Sequence, residues 1–200
     1  MISKALSFIE EVTNNYLTGI HGPSTENYAI LGNIAKLVEG GDTTEAEDGS
    51  GIIISLVNIE EDRISKNPNG IYREGGNVVR RNPSILLNLY VLFSANVSTY
   101  SVGLSRISNV IECFQNENFF MKTEHSLPDP ELVKLQLELY TMNFEQVNHL
   151  WSTMGGKYLP SVLYKLKMIP VYNKENSMEG DLIREIQMNK NAISGVLGAT

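Results

Sequence analysis

The chain has 200 residues, of which 42% are hydrophobic and 20% are charged, and its formal net charge at pH 7 is −7. A chain of this length and composition can bury the core of one domain, and it is too apolar to be disordered throughout. The acidic balance excludes the broad basic surface that binds nucleic acid, since the only compact basic cluster is Arg80 with Arg81. We therefore expect no nucleic-acid partner.

The single cysteine and the N-terminal residues indicate the compartment. Cys113 has no second cysteine with which to form a disulfide, and a helical apolar pattern around it predicts a buried, inert thiol. The stretch MISKALSFIEEV lacks the apolar run and cleavage site of a signal peptide, and no stretch reaches the roughly 18 apolar residues of a membrane span. We expect a protein that is made in the cytoplasm and has no membrane partner.

An amphipathic helix over residues 2–17 is the first predicted element. Its apolar residues recur at spacings of three and four, and they are Ile2, Leu6, Ile9, Val12 and Tyr16. The glycine-rich acidic run over residues 40–51 predicts a solvated loop, because it lacks the ligand spacing of a calcium loop. Residues 52–59 are apolar on both alternations and rich in β-branched side chains, so they predict a strand covered on both faces.

A long polar segment, residues 60–84, separates this strand from the next. It contains the turn signals NPNG, EGGN and RNPS, and it predicts a hairpin arm or a mobile loop. A loop of this length is uncommon in a compact domain unless it has a function. We therefore infer a contact with a neighbouring subunit here.

The middle of the chain predicts a strand, a helix and two further strands. The strand SILLNLYVLFSAN has on one face Leu87, Leu89, Val91 and Phe93. The helix over residues 98–117 has an apolar stripe of Tyr100, Leu104, Ile107, Ile111 and Phe114. NFFMKTEH predicts a short strand. The stretch LVKLQLELYT alternates, which predicts Val133, Leu135, Leu137 and Leu139 facing in and Lys134, Gln136 and Glu138 facing out.

The last third predicts a helix, a strand and a polar tail. The helix begins near Asn143, where Asn-x-x-Gln resembles a capping box, and its stripe is Phe144, Val147, Trp151 and Met154. The strand SVLYKLKMIPV has on one face Val162, Tyr164, Leu166 and Met168. Beyond Tyr172 the only core pattern is a possible short helix around Leu182 to Met188.

Together these elements predict one α+β domain with a mixed, mainly antiparallel sheet and helices packed on it. We place the domain at residues 1–172, with the long loop at 60–84. Residues 173–200 are expected to form a polar C-terminal arm, because so polar a tail has too few apolar residues for a core.

The stretch NHLWSTMGGKYLPS, residues 148–161, combines a histidine with Gly-Gly-Lys and invites a catalytic or nucleotide-binding interpretation. A phosphate-binding P-loop requires Gly-Lys followed by Ser or Thr, between a strand and a helix. Here Tyr158 follows Lys157, and the turn follows a helix. Gly155 and Gly156 instead fit a helix end, with Lys157 near the negative end of the helix dipole.

Candidate catalytic and metal-binding residues are few. His21, His125 and His149 lie in dissimilar contexts, and no acidic pair stands at a signature spacing. A catalytic site requires a nucleophile, a base and an orienting group, and no such set is recognisable. We expect no enzyme activity, no cofactor and no catalytic, cofactor-binding or metal-binding residues.

Three stretches of the sequence resemble a known bacterial family. They are NPSILLNLYVLFSAN (82–96), LSRISNVIECFQNENFF (104–120) and NFEQVNHLWSTMGGKYLPSVLYKLKMI (143–169). The family they resemble is the cap, or tail terminator, family of phage-tail-like contractile injection systems. These systems are of the antifeeding prophage and Photorhabdus virulence cassette type, and the family was first catalogued as a domain of unknown function. The resemblance covers roughly residues 1–172.

The resemblance implies a structural cap protein rather than an enzyme. Such a cap forms a homohexameric ring, closes the end of the inner tube and anchors the last sheath layer, so the implied partners are itself, the tube protein and the sheath protein. The particle that contains it can be released outside the cell. An alternative is an assembly adaptor or chaperone-like module for tube or sheath subunits. A third class, a hydrolase or nucleotide-binding enzyme, lacks its motifs here.

Overall fold

The computed structural model describes residues 1–35, 51–62, 71–74, 77–80, 86–127, 129, 132–155, 157–170 and 178–180. By its internal contacts the chain divides into two compact units. The first comprises Met1–Lys66 and Ser84–Tyr172, and the second comprises Asn67–Pro83 and Asn173–Thr200.

Three helices and nine strands occur in the described ranges. In chain order they are α1 (Ile2–His21), β1 (Ala29–Leu31), β2 (Gly51–Glu61), β3 (Ile71–Glu74), β4 (Asn77–Arg80), β5 (Leu87–Asn96), α2 (Tyr100–Asn116), β6 (Phe119–Met121), β7 (Leu132–Tyr140), α3 (Phe144–Thr153), β8 (Ser161–Pro170) and β9 (Met178–Gly180).

The first unit contains a six-stranded sheet in the order β1-β2-β5-β8-β7-β6. Strand β1 runs parallel to β2, and every other neighbouring pair is antiparallel. The predicted α+β class, with a mixed and mainly antiparallel sheet and packed helices, is confirmed.

The second unit contains a three-stranded antiparallel sheet in the order β3-β4-β9. Strands β3 and β4 form a hairpin inside the segment 60–84, where the sequence predicts a hairpin arm or a mobile loop. Strand β2 of the first unit extends into this segment as far as Glu61. The possible helix at 182–188 lies outside the described residues.

The larger hydrophobic core lies on the sheet face that α1 and α2 cover. From β5 it takes Leu89, Val91 and Phe93, which are fully buried, as the alternation predicts. Phe93, Phe114 of α2 and Tyr164 of β8 contact one another with ring centroids 5.3–5.6 Å apart. Aromatic rings at such spacings bury a large apolar area, so this trio fixes α2 on the middle of the sheet.

A smaller core lies on the opposite face of the same sheet, under α3. It contains Ile53, Leu92 and Leu163 from three neighbouring strands, together with Trp151 of α3. Central strand β5 is therefore buried on both faces, which explains its continuous apolar sequence.

The edge of the sheet at β1 is closed by side chains of α1. The Asn14 side chain accepts a hydrogen bond from the Ala29 N–H (2.9 Å) and donates one to the Ala29 carbonyl (2.7 Å). The Leu31 N–H donates to Glu10 Oε1 (3.1 Å). Polar groups that could pair with another strand are thus satisfied within the chain.

The prediction that β2 is covered on both faces is wrong for its second half. Its first half is buried on both faces, but Leu56 and Ile59 in its second half are exposed. Strand β1 pairs only with Ile52–Ile54, and a bulge interrupts the register between Leu56 and Asn58. Within the described ranges, the second half of β2 therefore has only β5 beside it in the sheet.

The predicted inward face of β7 is also wrong at two positions. Leu135 and Leu137 face the larger core as predicted, but Val133 and Leu139 are exposed. The register against β8 shifts between Leu132 and Lys134, so Leu132 takes the buried position and Val133 is turned outward. A bulge of this kind cannot be read from alternation, because it interrupts the alternation locally.

Helix α2 is rotated relative to its predicted stripe. Ile107 and Phe114 are buried, but so are Val110 and Cys113, while Tyr100 and Leu104 are exposed. The apolar surface of α2 is wider than the core covers. The predicted stripe of α3 is wrong at one position in the same way, because Phe144 is 95% exposed.

Candidate interaction surfaces

The histidine and Gly-Gly-Lys stretch forms a helix end, as the sequence predicts. The Gln146 N–H donates to Asn143 Oδ1 (2.8 Å) and the Asn143 N–H donates to Gln146 Oε1 (3.0 Å), so the capping box that starts α3 is present. Gly155 has φ +95°, the left-handed conformation that ends the helix. Gly156 lies outside the described residues, and the role of Lys157 at the dipole stays a prediction.

The three histidines have different surroundings. His149 is exposed on α3, His21 contacts Asn109 (2.9 Å between side-chain nitrogens), and His125 lies 3.0 Å from Glu117. Within the described ranges no three His, Cys, Asp or Glu side chains are grouped so that they could hold a metal ion.

Cys113 is 4% exposed, and burial raises the pKa of its thiol to about 12. A thiol in this environment is neutral at physiological pH and is a poor nucleophile. The prediction of a buried thiol at Cys113 is confirmed.

An apolar groove runs along α3 and is the first of two surfaces that stand out. We call it the α3 groove. Its volume is about 590 Å³, and its lining includes Met142, Phe144, Val147, Asn148, Trp151 and Tyr158. This volume is within the range of about 300–1,000 Å³ that is typical of ligand pockets.

Trp151 lines the α3 groove and holds an unsatisfied donor beneath the groove surface. The residue is 4% exposed, its ring contacts that of Tyr158 at 5.6 Å, and its indole Nε1–H has no acceptor in the part of the chain that the structure describes. A buried donor without an acceptor costs free energy comparable to a lost hydrogen bond. Because this N–H is itself enclosed by the protein, it belongs to the smaller core and is not a contact point for an occupant of the groove.

The second surface lies on the other face of the sheet, and we call it the α2 patch. It consists of Tyr100 and Leu104 at the start of α2, 65% and 44% exposed, and of Leu139 on β7, 56% exposed. Leu139 pairs in register with Tyr164, whose ring contacts Phe114 of α2. Helix α1 contacts the opposite flank of α2, through His21 to Asn109. The flank that carries Tyr100 and Leu104 is thus on the side of β7.

Charged side chains on β7 and β8 pair with one another across the two strands. Lys167 Nζ lies 2.6 Å from Glu138 Oε1, and Gln136 donates to the same carboxylate (3.1 Å). On β5, the Tyr90 hydroxyl donates to Glu60 Oε2 (2.6 Å), and this hydrogen bond raises the pKa of Tyr90 to about 12. The charges of Lys167 and Glu138 thus compensate each other, and Glu60 accepts a hydrogen bond from a neutral side chain.

Periodicity did not predict either apolar surface, because it assigns apolar residues to the core. The available signal was the width of the stripes. In α2 the residues Tyr100, Gly103, Leu104, Ile107, Val110 and Ile111 span more of the helix than one sheet face can cover.

A comparison with known protein families identifies the family of the chain. The family model of the Pvc16 N-terminal domain matches residues 10–185. The chain belongs to this family. The family resemblance predicted from the sequence is thereby confirmed, and no curated protein matches the sequence.

Solved structures share the fold of this family member. The chain is similar to the PVC sheath/tube terminator, in the extended state, of an extracellular contractile injection system, with a TM-score of 0.59 and 11% identity over 94% of the chain. It is also similar to the tube-terminating cap of the anti-feeding prophage, with a TM-score of 0.55 and 13% identity over 90% of the chain. The matches cover 62% and 60% of those two chains, so this chain spans about three fifths of their length. None of the helices in the described ranges is long and apolar enough to cross a membrane.

Proposed function

We propose that the protein is a structural cap, or tail terminator, of a contractile injection particle. The observation that carries the proposal is that one fold, over 94% and 90% of this chain, is shared with a sheath/tube terminator and with a tube-terminating cap. Membership of the Pvc16 N-terminal domain family supports the same role. In this role the protein performs no reaction and needs no cofactor.

In the proposed assembly, identical copies form a homohexameric ring at the end of the inner tube. The ring closes the tube and anchors the last sheath layer, so its partners are its own copies, the tube protein and the sheath protein. A ring requires head-to-tail contacts between unlike surfaces of identical chains. The protein is then assembled in the cytoplasm and leaves the cell with the particle where the particle is released.

The proposal is tested by electron microscopy of particles produced with and without the gene for this protein. We expect particles without the protein to have tubes of variable length and a sheath that is not fixed at one end. Expression of the wild-type chain from a plasmid should restore a uniform length. Normal particles in the absence of the protein would contradict a cap role.

The adaptor or chaperone alternative is separated by the composition of finished particles. A cap stays in the particle, so purified particles should contain about six copies for a single ring of C6 symmetry. A protein that is required for assembly but absent from finished particles, by quantitative mass spectrometry, would instead be an assembly factor.

A further inference from the structure

Two apolar surfaces of the first unit lie on opposite faces of one sheet. The α2 patch is on the face of α1 and α2, and the α3 groove is on the face of α3. Both include large side chains that are more than half exposed, notably Tyr100, Phe144 and Tyr158. Exposed apolar groups concentrated in this way are typical of protein–protein contacts.

The charge of the chain limits what can occupy these surfaces. Two copies of a chain with net charge −7 repel each other, so surface regions without excess charge favour their association. The sequence from Asn82 to Ser105, which contains Tyr100 and Leu104, has no charged residue. The described residues that line the α3 groove are uncharged, and the sequence from Tyr140 to Gly156, which supplies most of them, has a single charged residue, Glu145. Uncharged centres of this kind are typical of interfaces, and here they suit a second acidic copy.

We propose that the α2 patch of one copy docks in the α3 groove of the next copy. This inference rests on the proposed ring and assigns the surfaces that build it. A closed ring needs two different, complementary surfaces on each copy, and surfaces on opposite faces of one sheet meet that requirement. An isologous contact would instead place the same surface on both copies.

The chemistry of the two surfaces is complementary. The groove offers an apolar volume of about 590 Å³. Tyr100 and Leu104 offer exposed apolar side chains that can enter it. Tyr100→Ala should therefore weaken association by roughly thirtyfold, the effect of truncating a side chain that anchors an interface.

Cysteine cross-linking tests the pairing directly. The native Cys113 is buried, so single introduced cysteines are the reactive thiols of each variant. A mixture of Leu104→Cys and Phe144→Cys chains should be joined by a short bifunctional thiol reagent, and neither variant alone should be joined. Each variant joining to itself would show an isologous contact, and no product in the mixture would show that the surfaces do not meet. Either result overturns the proposal.

Charge insertion tests the same contact without cross-linking. Leu104→Glu and Phe144→Glu change exposed side chains, so circular dichroism should show folded proteins, and light scattering should show loss of the ring. Ile20→Glu, at an exposed position of α1 outside both surfaces, is the matched control and should retain the ring.

A ring that persists in both variants overturns this inference alone. A wild-type chain that never forms a ring, alone or on tubes, overturns the proposed function as well. Variants that form rings but fail to hold tube or sheath would assign the surfaces to those partners and overturn the self-contact.

Discussion

Trp151 combines a well-packed ring with a buried N–H that finds no acceptor within the described chain. Trp151→Ala should cost about 3–5 kcal/mol of unfolding free energy, because it removes the largest side chain of the smaller core. Trp151→Phe should cost less than Trp151→Ala, because it keeps part of the apolar volume and removes the unsatisfied donor. Urea unfolding measures both values.

A second variant on the same helix controls this experiment. His149→Gln alters an exposed side chain and should change stability by no more than about 0.5 kcal/mol. Equal losses for the alanine and phenylalanine variants of Trp151 would indicate that the indole N–H has an acceptor. An unchanged alanine variant would show that the ring is not part of a core.

Cys113 and Tyr164 make stability depend on alkaline pH. Burial raises the pKa of the Cys113 thiol from 9.0 to about 12 and that of the Tyr164 hydroxyl from 10.0 to about 12. In the unfolded chain these groups lose their protons at lower pH than in the folded chain. Their contribution is complete below pH 9 and is lost as the pH rises towards about 12, at up to about 1.4 kcal/mol per pH unit for each group.

We therefore expect the unfolding free energy to fall between pH 9 and pH 12. Cys113→Ala should reduce the slope in the lower part of this range, although its stability at pH 7 is lower because a cavity remains. Ser108→Ala, on the same helix, should leave the slope unchanged. Identical slopes for the wild type and Cys113→Ala would show that the thiol ionises equally in both states.

At the scale of the element, Asn14 links α1 to the edge strand β1. Its side chain bonds both the N–H and the carbonyl of Ala29. Asn14→Ala leaves both backbone groups without these partners and should cost about 1–3 kcal/mol of unfolding free energy. Because an open strand edge invites pairing with other chains, we also expect faster aggregation on warming.

Asn14→Asp is the informative companion of that variant. Aspartate still accepts from the Ala29 N–H but donates nothing to the carbonyl, so its stability should lie between those of the wild type and Asn14→Ala. Thermal unfolding with light scattering follows both properties. A stable, non-aggregating Asn14→Ala protein would mean that water or neighbouring side chains protect the edge.

Periodicity predicted most long elements, and the short strand β6 lies in the predicted stretch NFFMKTEH, but β1 was missed. Strands β5 and β8 have apolar spacings that match their burial, since each faces a continuous core. The predicted stripe of α1 is buried at Leu6 and Ile9 and only partly buried at its other positions. Strand β1 has only three residues, too few for a pattern, and it depends on hydrogen bonds from Asn14 and Glu10 that are distant in sequence. The bulge at Val133 likewise depends on the partner strand rather than on local sequence.

At the scale of the whole molecule, the sequence predicted the fold class and the family better than the surfaces. Apolar residues such as Phe144 and Leu139 satisfy a core pattern although they are exposed. A one-dimensional pattern states that a residue is apolar, whereas the covering element is set by three-dimensional packing. Surfaces that are apolar for association therefore look like core in sequence.

The C-terminal arm, residues 173–200, contributes a strand to the second compact unit. Strand β9 in this arm pairs with β4, from Met178–Arg80 to Gly180–Val78. Cutting the chain after Asn173 removes β9 and leaves β3 and β4 as a two-stranded hairpin, which is at best marginally stable alone. The first unit retains both of its hydrophobic cores, so we expect its melting temperature to stay close to that of the wild type.

Hydrogen exchange distinguishes these effects in the truncated protein. Exchange should become faster over residues 71–80 and remain unchanged over β5 and β8. Val79→Pro in the full chain should have the same effect, because proline removes a ladder hydrogen bond from a central strand.

Because the tail and the hairpin share a sheet, we further expect the truncated protein to close tubes yet hold sheath poorly. Electron microscopy of particles made with it measures sheath attachment. A normally fixed sheath would refute a role of the arm in anchoring, and loss of protection over β5 and β8 would show that the tail stabilises the first unit.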